Sequence, residues 1–135
     1  MAFNLAVLDI RNKGPTFTNA GVIEPLLKRE QVVVFLEAAG SKHPLGMTKD
    51  EVYEERKVRL QSGDVLVLMT DGVIEEQNSA RELYGEEALK KLIEKMDTSR
   101  LSAKAIKEEI IREVKQFSQR TQQDDDMTVV VIKVI

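Results

Sequence analysis

The chain has 135 residues, of which 42% are hydrophobic and 32% charged, a balance typical of one globular domain and unlike a disordered polar chain. The formal charge of −3 argues against a nucleic-acid binder, which would carry a basic face. Because there is no cysteine and only one histidine, disulfides, thiolate metal sites and a His-rich site are excluded. No apolar run reaches the ~18 residues of a membrane span, and no signal peptide is recognisable. We therefore expect a soluble, cytoplasmic protein that binds neither nucleic acid nor membrane.

The first half of the chain is predicted to consist mainly of strands. Residues 3–10 and 16–20 are β-prone and flank a cluster of Asn, Gly and Pro, which predicts a hairpin. Residues 24–29 and 31–37 predict a second pair of strands. Residues 52–60 alternate imperfectly between apolar and charged side chains, which predicts a half-exposed strand.

The second half begins with residues 65–70, which are apolar on both faces and predict a central strand buried on both sides. Residues 86–96 place apolar side chains at helical spacing, and residues 103–117 do the same after Ser102, a suitable N-cap. Residues 127–135 predict a closing strand that is again apolar on both faces. Strands first, helices late and a returning strand indicate an α+β layer structure.

Two acidic sites are the candidates for chemistry. Asp71 and Gly72 follow the central strand directly, so the carboxylate would be held rigidly while the glycine allows a sharp turn and close approach of a ligand. Asp-Gly is also an ordinary turn dipeptide. Asp124, Asp125 and Asp126 fit either an exposed acidic loop or a site for a hard cation such as Mg²⁺ or Mn²⁺. We expect the closing strand to return beside the central strand, which would bring both acidic sites to one sheet edge.

Other polar residues carry a weaker signal. Glu75 and Glu76 are expected on an exposed loop, although they could also support the site next to Asp71. His43 is expected to be an ordinary loop residue, since no partner for acid–base chemistry is evident near it. The sequence contains no Gly-rich phosphate loop and no serine in a nucleophile-elbow pattern.

The flanks of these acidic sites carry a family resemblance. Residues 60–75, with Thr70-Asp71-Gly72 near their end, resemble the signature of the bacterial SpoIIE/RsbU-type protein phosphatases, which belong to the metal-dependent PP2C-like serine/threonine phosphatases. The further segments that resemble the family, in chain order, are Asn19-Ala20-Gly21, Pro44-Leu45-Gly46, Tyr84-Gly85 and Asp125-Asp126-Met127-Thr128. The ordered set covers nearly the whole chain.

The resemblance implies a β-sandwich flanked by helices, with two Mn²⁺ or Mg²⁺ ions at one edge. It makes Asp71 a metal ligand and Asp125 another, with Asp126 beside it as a weaker candidate. The close approach that Gly72 allows would then be that of the ions. It also implies hydrolysis of a phosphoserine or phosphothreonine without a covalent intermediate. The implied substrate is a phosphorylated regulatory protein of the anti-sigma-factor antagonist type.

The chain also departs from the family pattern. The family's domain begins with a further stretch whose Asp-Gly-type motif supplies a bridging carboxylate; Asp9 is followed by Ile10 and is not assigned to that role. Val22 stands where the family usually has His. We therefore expect residues 1–135 to form a single PP2C-like phosphatase domain that is N-terminally incomplete, with weak metal binding and reduced or absent activity.

Two alternatives remain. One is a non-catalytic domain of the same fold that binds a partner or dimerises, since exposed sheet edges permit a homodimer. The other is a receiver-like signalling domain with Asp71 as phosphoacceptor. That fold needs alternating strands and helices, whereas here the helices come late, so we rank it below the other two.

Overall fold

In the part of the chain that the structure describes, the fold consists of two antiparallel sheets and two helices. The computed structural model describes residues 1–9, 11, 14–119 and 126–135. The strands in these ranges are β1 (Phe3–Asp9), β2 (Gly14–Ala20), β3 (Leu26–Arg29), β4 (Val32–Phe35), β5 (Arg56–Lys57), β6 (Val65–Met69) and β7 (Val129–Lys133), and the helices are α1 (Glu86–Lys95) and α2 (Ala103–Ser118). One sheet has the order β1-β2-β5 and the other β4-β3-β6-β7. This arrangement confirms the predicted α+β class.

The two helices cover one face of the four-stranded sheet. Successive side chains of a strand face opposite sides of the sheet, and the alternate residues Val65, Val67 and Met69 of β6 all lie in the cluster on the helix side. Ile93 of α1 and Ile110 of α2 are fully buried against them. Burying this apolar stripe, rather than helix propensity alone, is what holds each helix in place.

The opposite face of this sheet packs against the three-stranded sheet. Leu27 and Leu66 lie in a second buried cluster with Phe17 and Leu60. Three strands cover only part of the four-stranded sheet. On the same face, the edge strands carry apolar side chains that are about half exposed: Val32 62%, Val34 44% and Val130 50%.

The local signals for α2 are confirmed by its contacts. The Ser102 hydroxyl accepts a hydrogen bond from the backbone N–H of Ala105 at 3.1 Å, as an N-cap does. Ile106, Ile110 and Val114 of the predicted stripe are fully buried. The helix therefore forms where its cap and its periodicity predict it.

The strand predictions hold in part. Both predicted hairpins form, and β7 pairs antiparallel with β6 as expected. Of residues 52–60, only β5 forms a strand, because the acidic residues in this stretch give it no continuous apolar face. The closing strand is an edge strand and not buried on both faces. The prediction of an exposed Glu76 is wrong, since this residue is 2% exposed.

Candidate functional site

Asp71 lies at the end of β6, where the chain leaves the sheet. It begins a 3-10 turn, Asp71–Val73, in which its backbone carbonyl accepts hydrogen bonds from the N–H groups of Ile74 and Glu75, both at 2.9 Å. Its carboxylate Oδ1 accepts the N–H of Gly72 at 3.1 Å. The residue is exposed, and within the described ranges no cationic side chain pairs with it. The negative charge of Asp71 is thus held at a fixed place and is open to solvent.

The closing strand reaches the same edge. In the β6–β7 ladder, Met69 pairs with Val129. One residue further on, the backbone N–H of Thr70 donates a hydrogen bond to the carbonyl of Thr128 at 3.0 Å. The Thr70 hydroxyl donates to the carbonyl of Asp126 at 3.1 Å and accepts the N–H of Thr128 at 2.9 Å. The structure therefore brings the segment containing Asp126 directly beside the residue that precedes Asp71.

The predicted ligand set is placed only in part. Asp71 and Asp126 are both exposed at this edge, whereas Asp124 and Asp125 lie outside the described residues. Gly72 is buried inside the 3-10 turn and is not among the glycines with positive φ, so the turn forms without the special backbone conformation that was expected of it. The roles of Asp71, Asp125 and Asp126 as metal ligands, and of Gly72 as a residue against the ions, stay predictions.

The donor chemistry at this edge fits part of a metal site. Carboxylate oxygens are the ligands that Mg²⁺ and Mn²⁺ prefer, and two acidic segments converge here. In the part of the chain that the structure describes, no group of three or more His, Asp or Glu side chains is close enough to hold an ion. The described residues therefore do not form a complete ligand set by themselves, and a metal site here would need further ligands.

Two loops with family-like sequences contact each other. Asn19 donates to the carbonyl of Val22 at 2.7 Å and to a Glu24 oxygen at 2.9 Å, which closes the turn after β2. Gly21 in this turn has φ +79°, and a Cβ there would lie 2.6 Å from Cγ of Pro44. Glycine is required at this position both by the backbone angle and by the close approach.

His43 has partners that the sequence reasoning missed. Its Nδ1 lies 2.8 Å from Oε1 of Glu51 and 3.3 Å from the Ser41 hydroxyl, which also bonds to Glu51. The hydroxyl of Tyr53 donates to the His43 carbonyl at 2.8 Å. Hydrogen bonds from Ser41 and His43 hold the pKa of Glu51 below its usual value. Ser41 and Glu51 both contact the same ring nitrogen of His43, Nδ1, whereas a nucleophile–base–acid relay uses both ring nitrogens, so this cluster is not such a relay.

A polar cavity of about 510 Å³ lies at the opposite end of β6 from Asp71. The Arg29 guanidinium binds Asp64 through two hydrogen bonds of 3.0 and 2.7 Å, which raises the pKa of Arg29. The Lys28 ammonium, 4% exposed, donates to the carbonyls of Ile93, Glu94 and Met96. Arg29 and Lys28 are thus both paired with groups of the protein itself, which disfavours an anion site in this cavity.

Comparisons with known proteins agree with the fold. All of residues 1–135 match the family described as Stage II sporulation protein E (SpoIIE). Over 133 residues the chain is 28% identical to Stage II sporulation protein E of Bacillus subtilis (strain 168), covering 97% of this chain and 15% of that protein.

Solved structures of similar fold are phosphatase domains. The chain matches the PP2C phosphatase domain of Bacillus subtilis SpoIIE, solved with a fragment of its regulatory domain, with a TM-score of 0.80 and 25% identity over 98% of this chain and 37% of that one. It matches the SiaA-PP2C domain of Pseudomonas aeruginosa with a TM-score of 0.81 and 20% identity over 98% and 51% of the two chains. The chain thus spans 15% of the curated relative and about half or less of these solved chains. Among its described helices, none has the length and apolar character needed to cross a membrane.

Proposed function

The chain belongs to the SpoIIE family of PP2C-type phosphatase domains, and from that membership we propose that it is part of a metal-dependent protein serine/threonine phosphatase. The proposed reaction removes phosphate from a phosphoserine or phosphothreonine of a regulatory protein of the anti-sigma-factor antagonist type. The single observation that carries the proposal is the family match over residues 1–135, which includes both acidic segments at one sheet edge.

The chain's own residues would act mainly by placing negative charge. Asp71 and Asp125, with Asp126 beside them, would bind two Mn²⁺ or Mg²⁺ ions through carboxylate oxygens. Bound ions of this kind supply an activated water and offset negative charge on a phosphoryl group. Asp71 is suited to this because its turn fixes the carboxylate at the strand end and because no described cation neutralises it.

We propose that the complete catalytic domain contains more strands than this chain shows. The three-stranded sheet leaves Val32, Val34 and Val130 about half exposed on the face it should cover. Leu8 of β1 is 43% exposed and lines an apolar cavity of about 210 Å³ with Leu60 and the end of the chain. Further strands added to the three-stranded sheet would cover these side chains, and a further acidic motif would complete the ligand set.

The test is phosphate release from a phosphoserine-containing protein in the presence of Mn²⁺. The 135-residue chain and the longest natural polypeptide that contains it should be assayed in parallel. We expect Mn²⁺-dependent release by the longer form, loss of release in Asp71→Asn, and full release in Asp50→Asn. Asp50 is a matched control because it is an exposed aspartate with φ 59°, a conformation that asparagine tolerates. Release that does not depend on Mn²⁺, or that survives in Asp71→Asn, would contradict the proposal.

A second candidate is a non-catalytic domain that dimerises, and β1 is the observation that favours it. This edge strand carries Phe3, Leu5 and Val7 on one face at 38%, 48% and 59% exposure, and Asp9 is its only charge. Edge strands without charges or prolines invite pairing with another chain. Analytical ultracentrifugation of the wild-type chain and of Leu5→Lys tests whether the chain dimerises through β1. A dimer that Leu5→Lys abolishes supports dimerisation, and a monomer at all concentrations excludes it.

A further inference from the structure

The Thr70 hydroxyl joins the two acidic segments. It donates to the Asp126 carbonyl at 3.1 Å and accepts the backbone N–H of Thr128 at 2.9 Å. A threonine hydroxyl has one donor hydrogen and two acceptor lone pairs, so both bonds can form at once. These two bonds are additional to the backbone ladder, in which the Thr70 N–H already pairs with the Thr128 carbonyl.

The position of this pair of bonds is specific. Thr70 immediately precedes Asp71, and Asp126 immediately follows Asp125 in the sequence. The paired part of β7 ends at Val129, so the segment from Asp126 to Thr128 lies beyond the regular ladder. The Thr70 side chain therefore adds two bonds to this segment where the regular strand pairing has stopped.

Holding acidic segments together has an energetic cost in the absence of a cation. Carboxylates near one another repel, and the repulsion would move an unanchored segment away from Asp71. Two hydrogen bonds from one side chain oppose that movement and restrict the backbone beside the carboxylates. A metal site binds more tightly when its ligands are held in place before the ion arrives.

We propose that Thr70 is a positioning residue, which holds the segment that begins at Asp126 beside Asp71 and thereby sets the affinity of this edge for Mn²⁺. This inference rests on the proposed function, because it takes the two segments to be ligand-bearing. It adds a residue that does not itself contact the ion. The hydroxyl acts through the Asp126 carbonyl and the Thr128 N–H.

The matched variants are Thr70→Val, which has nearly the same shape without the hydroxyl, and Thr70→Ser, which keeps it. Ser102→Ala serves as a control that weakens the α2 cap, far from this edge in the sequence. The first readout needs no metal: hydrogen exchange of the Thr128 amide should speed up about tenfold in Thr70→Val, as expected for losing a bond of this kind. Exchange in Thr70→Ser and Ser102→Ala should remain within about twofold of the wild type at this amide.

The second readout is Mn²⁺ affinity by calorimetry. We expect affinity about tenfold weaker in Thr70→Val, the effect of one or two net hydrogen bonds, and nearly wild-type affinity in Thr70→Ser and Ser102→Ala. Unchanged affinity in Thr70→Val would overturn the inference while leaving the proposed function intact. An equal loss in Thr70→Val and Ser102→Ala would also overturn it, because it would show a general effect of stability. If the wild-type chain bound no Mn²⁺, this inference would fail, whereas the proposed function would still be decided by phosphate release from the longer form.

Discussion

Replacing Lys28 by methionine should remove a large part of the attachment of α1 to the sheet. The Lys28 ammonium donates three hydrogen bonds, of 2.6, 3.1 and 2.6 Å, to the carbonyls of Ile93, Glu94 and Met96. These carbonyls belong to the last turn of α1 and the residue after it. Those of Ile93 and Met96 also accept the backbone N–H groups of Met96 and Thr98, so the ammonium completes a helix end that is only partly paired. A cation at this end also complements the helix dipole.

The magnitude follows from opposing terms. A hydrogen bond from a charged donor contributes about 1.5–3 kcal/mol, so three give roughly 5–9 kcal/mol. Burial offsets part of this: it lowers the pKa of Lys28 below its ordinary value, although the charges of Asp97 and Glu94 act in the opposite direction. Desolvation of a buried ion costs several kcal/mol, which methionine avoids. We therefore expect Lys28→Met to lower the free energy of unfolding by about 2–4 kcal/mol.

Urea unfolding followed by circular dichroism measures this change in free energy. In thermal unfolding, the Tm of Lys28→Met should be lower than that of the wild type by roughly 10 °C. Lys95→Met is the matched control, since Lys95 is exposed in the last turn of the same helix and should change stability by less than about 0.5 kcal/mol. A loss below about 1 kcal/mol in Lys28→Met would refute the reasoning. It would mean that the cost of burying the ammonium cancels its three hydrogen bonds.

Three further changes test other contacts. Ser102→Ala should lower the free energy of unfolding by about 1 kcal/mol in urea, because the Ala105 N–H loses its cap. Ser62→Ala, in an exposed turn, is the control and should leave the urea unfolding curve unchanged. Glu76→Gln should raise the free energy of unfolding by about 1 kcal/mol, because the substitution removes a buried carboxylate whose Oε2 has no partner among the described residues. A fall in the urea midpoint of this variant would contradict the prediction. Glu51 has a lowered pKa when folded, so its contribution is complete above the ordinary carboxyl pKa of about 4.3 and is lost as the pH falls through the lower folded value. The difference in Tm between wild type and Glu51→Gln should therefore shrink on acidification, and a constant difference would argue against it.

Much of the fold was predictable because its signals are local. The cap at Ser102, the apolar stripe of α2 and the double-sided apolar run of β6 each lie within a few residues of the element that they specify. The return of β7 beside β6 was also predictable from the sequence, because both segments are apolar on both faces and such strands pack in one core. The site prediction drew on the same signal, because pairing these strands places Asp71 and Asp126 at one edge.

The remaining features depend on contacts between distant residues. In the sequence, Lys28 looks like an ordinary lysine in a strand. Its role depends on α1, because the ammonium binds a carbonyl at the end of that helix, 65 residues later. Glu76 is acidic and lies in a loop, yet the packing of the chain after Asp71 buries it. An isolated bridge between Gly40 and Tyr53 closes the loop and brings Glu51 to His43. No periodic pattern in the sequence predicts this bridge. Such contacts are set by the tertiary fold and leave no regular pattern in the sequence.

The central claim is that Asp71 and the segment from Asp125 to Asp126 form one cation site, and paramagnetic broadening of amide signals by Mn²⁺ tests it most directly. On titration of the chain, the amides of Gly72 and Thr128 should broaden first and together, and Gly63 at the opposite end of β6 should be unaffected. Asp71→Asn should remove the effect at both amides. Broadening at only one of the two segments, or broadening unchanged in Asp71→Asn, would contradict a shared site at this edge.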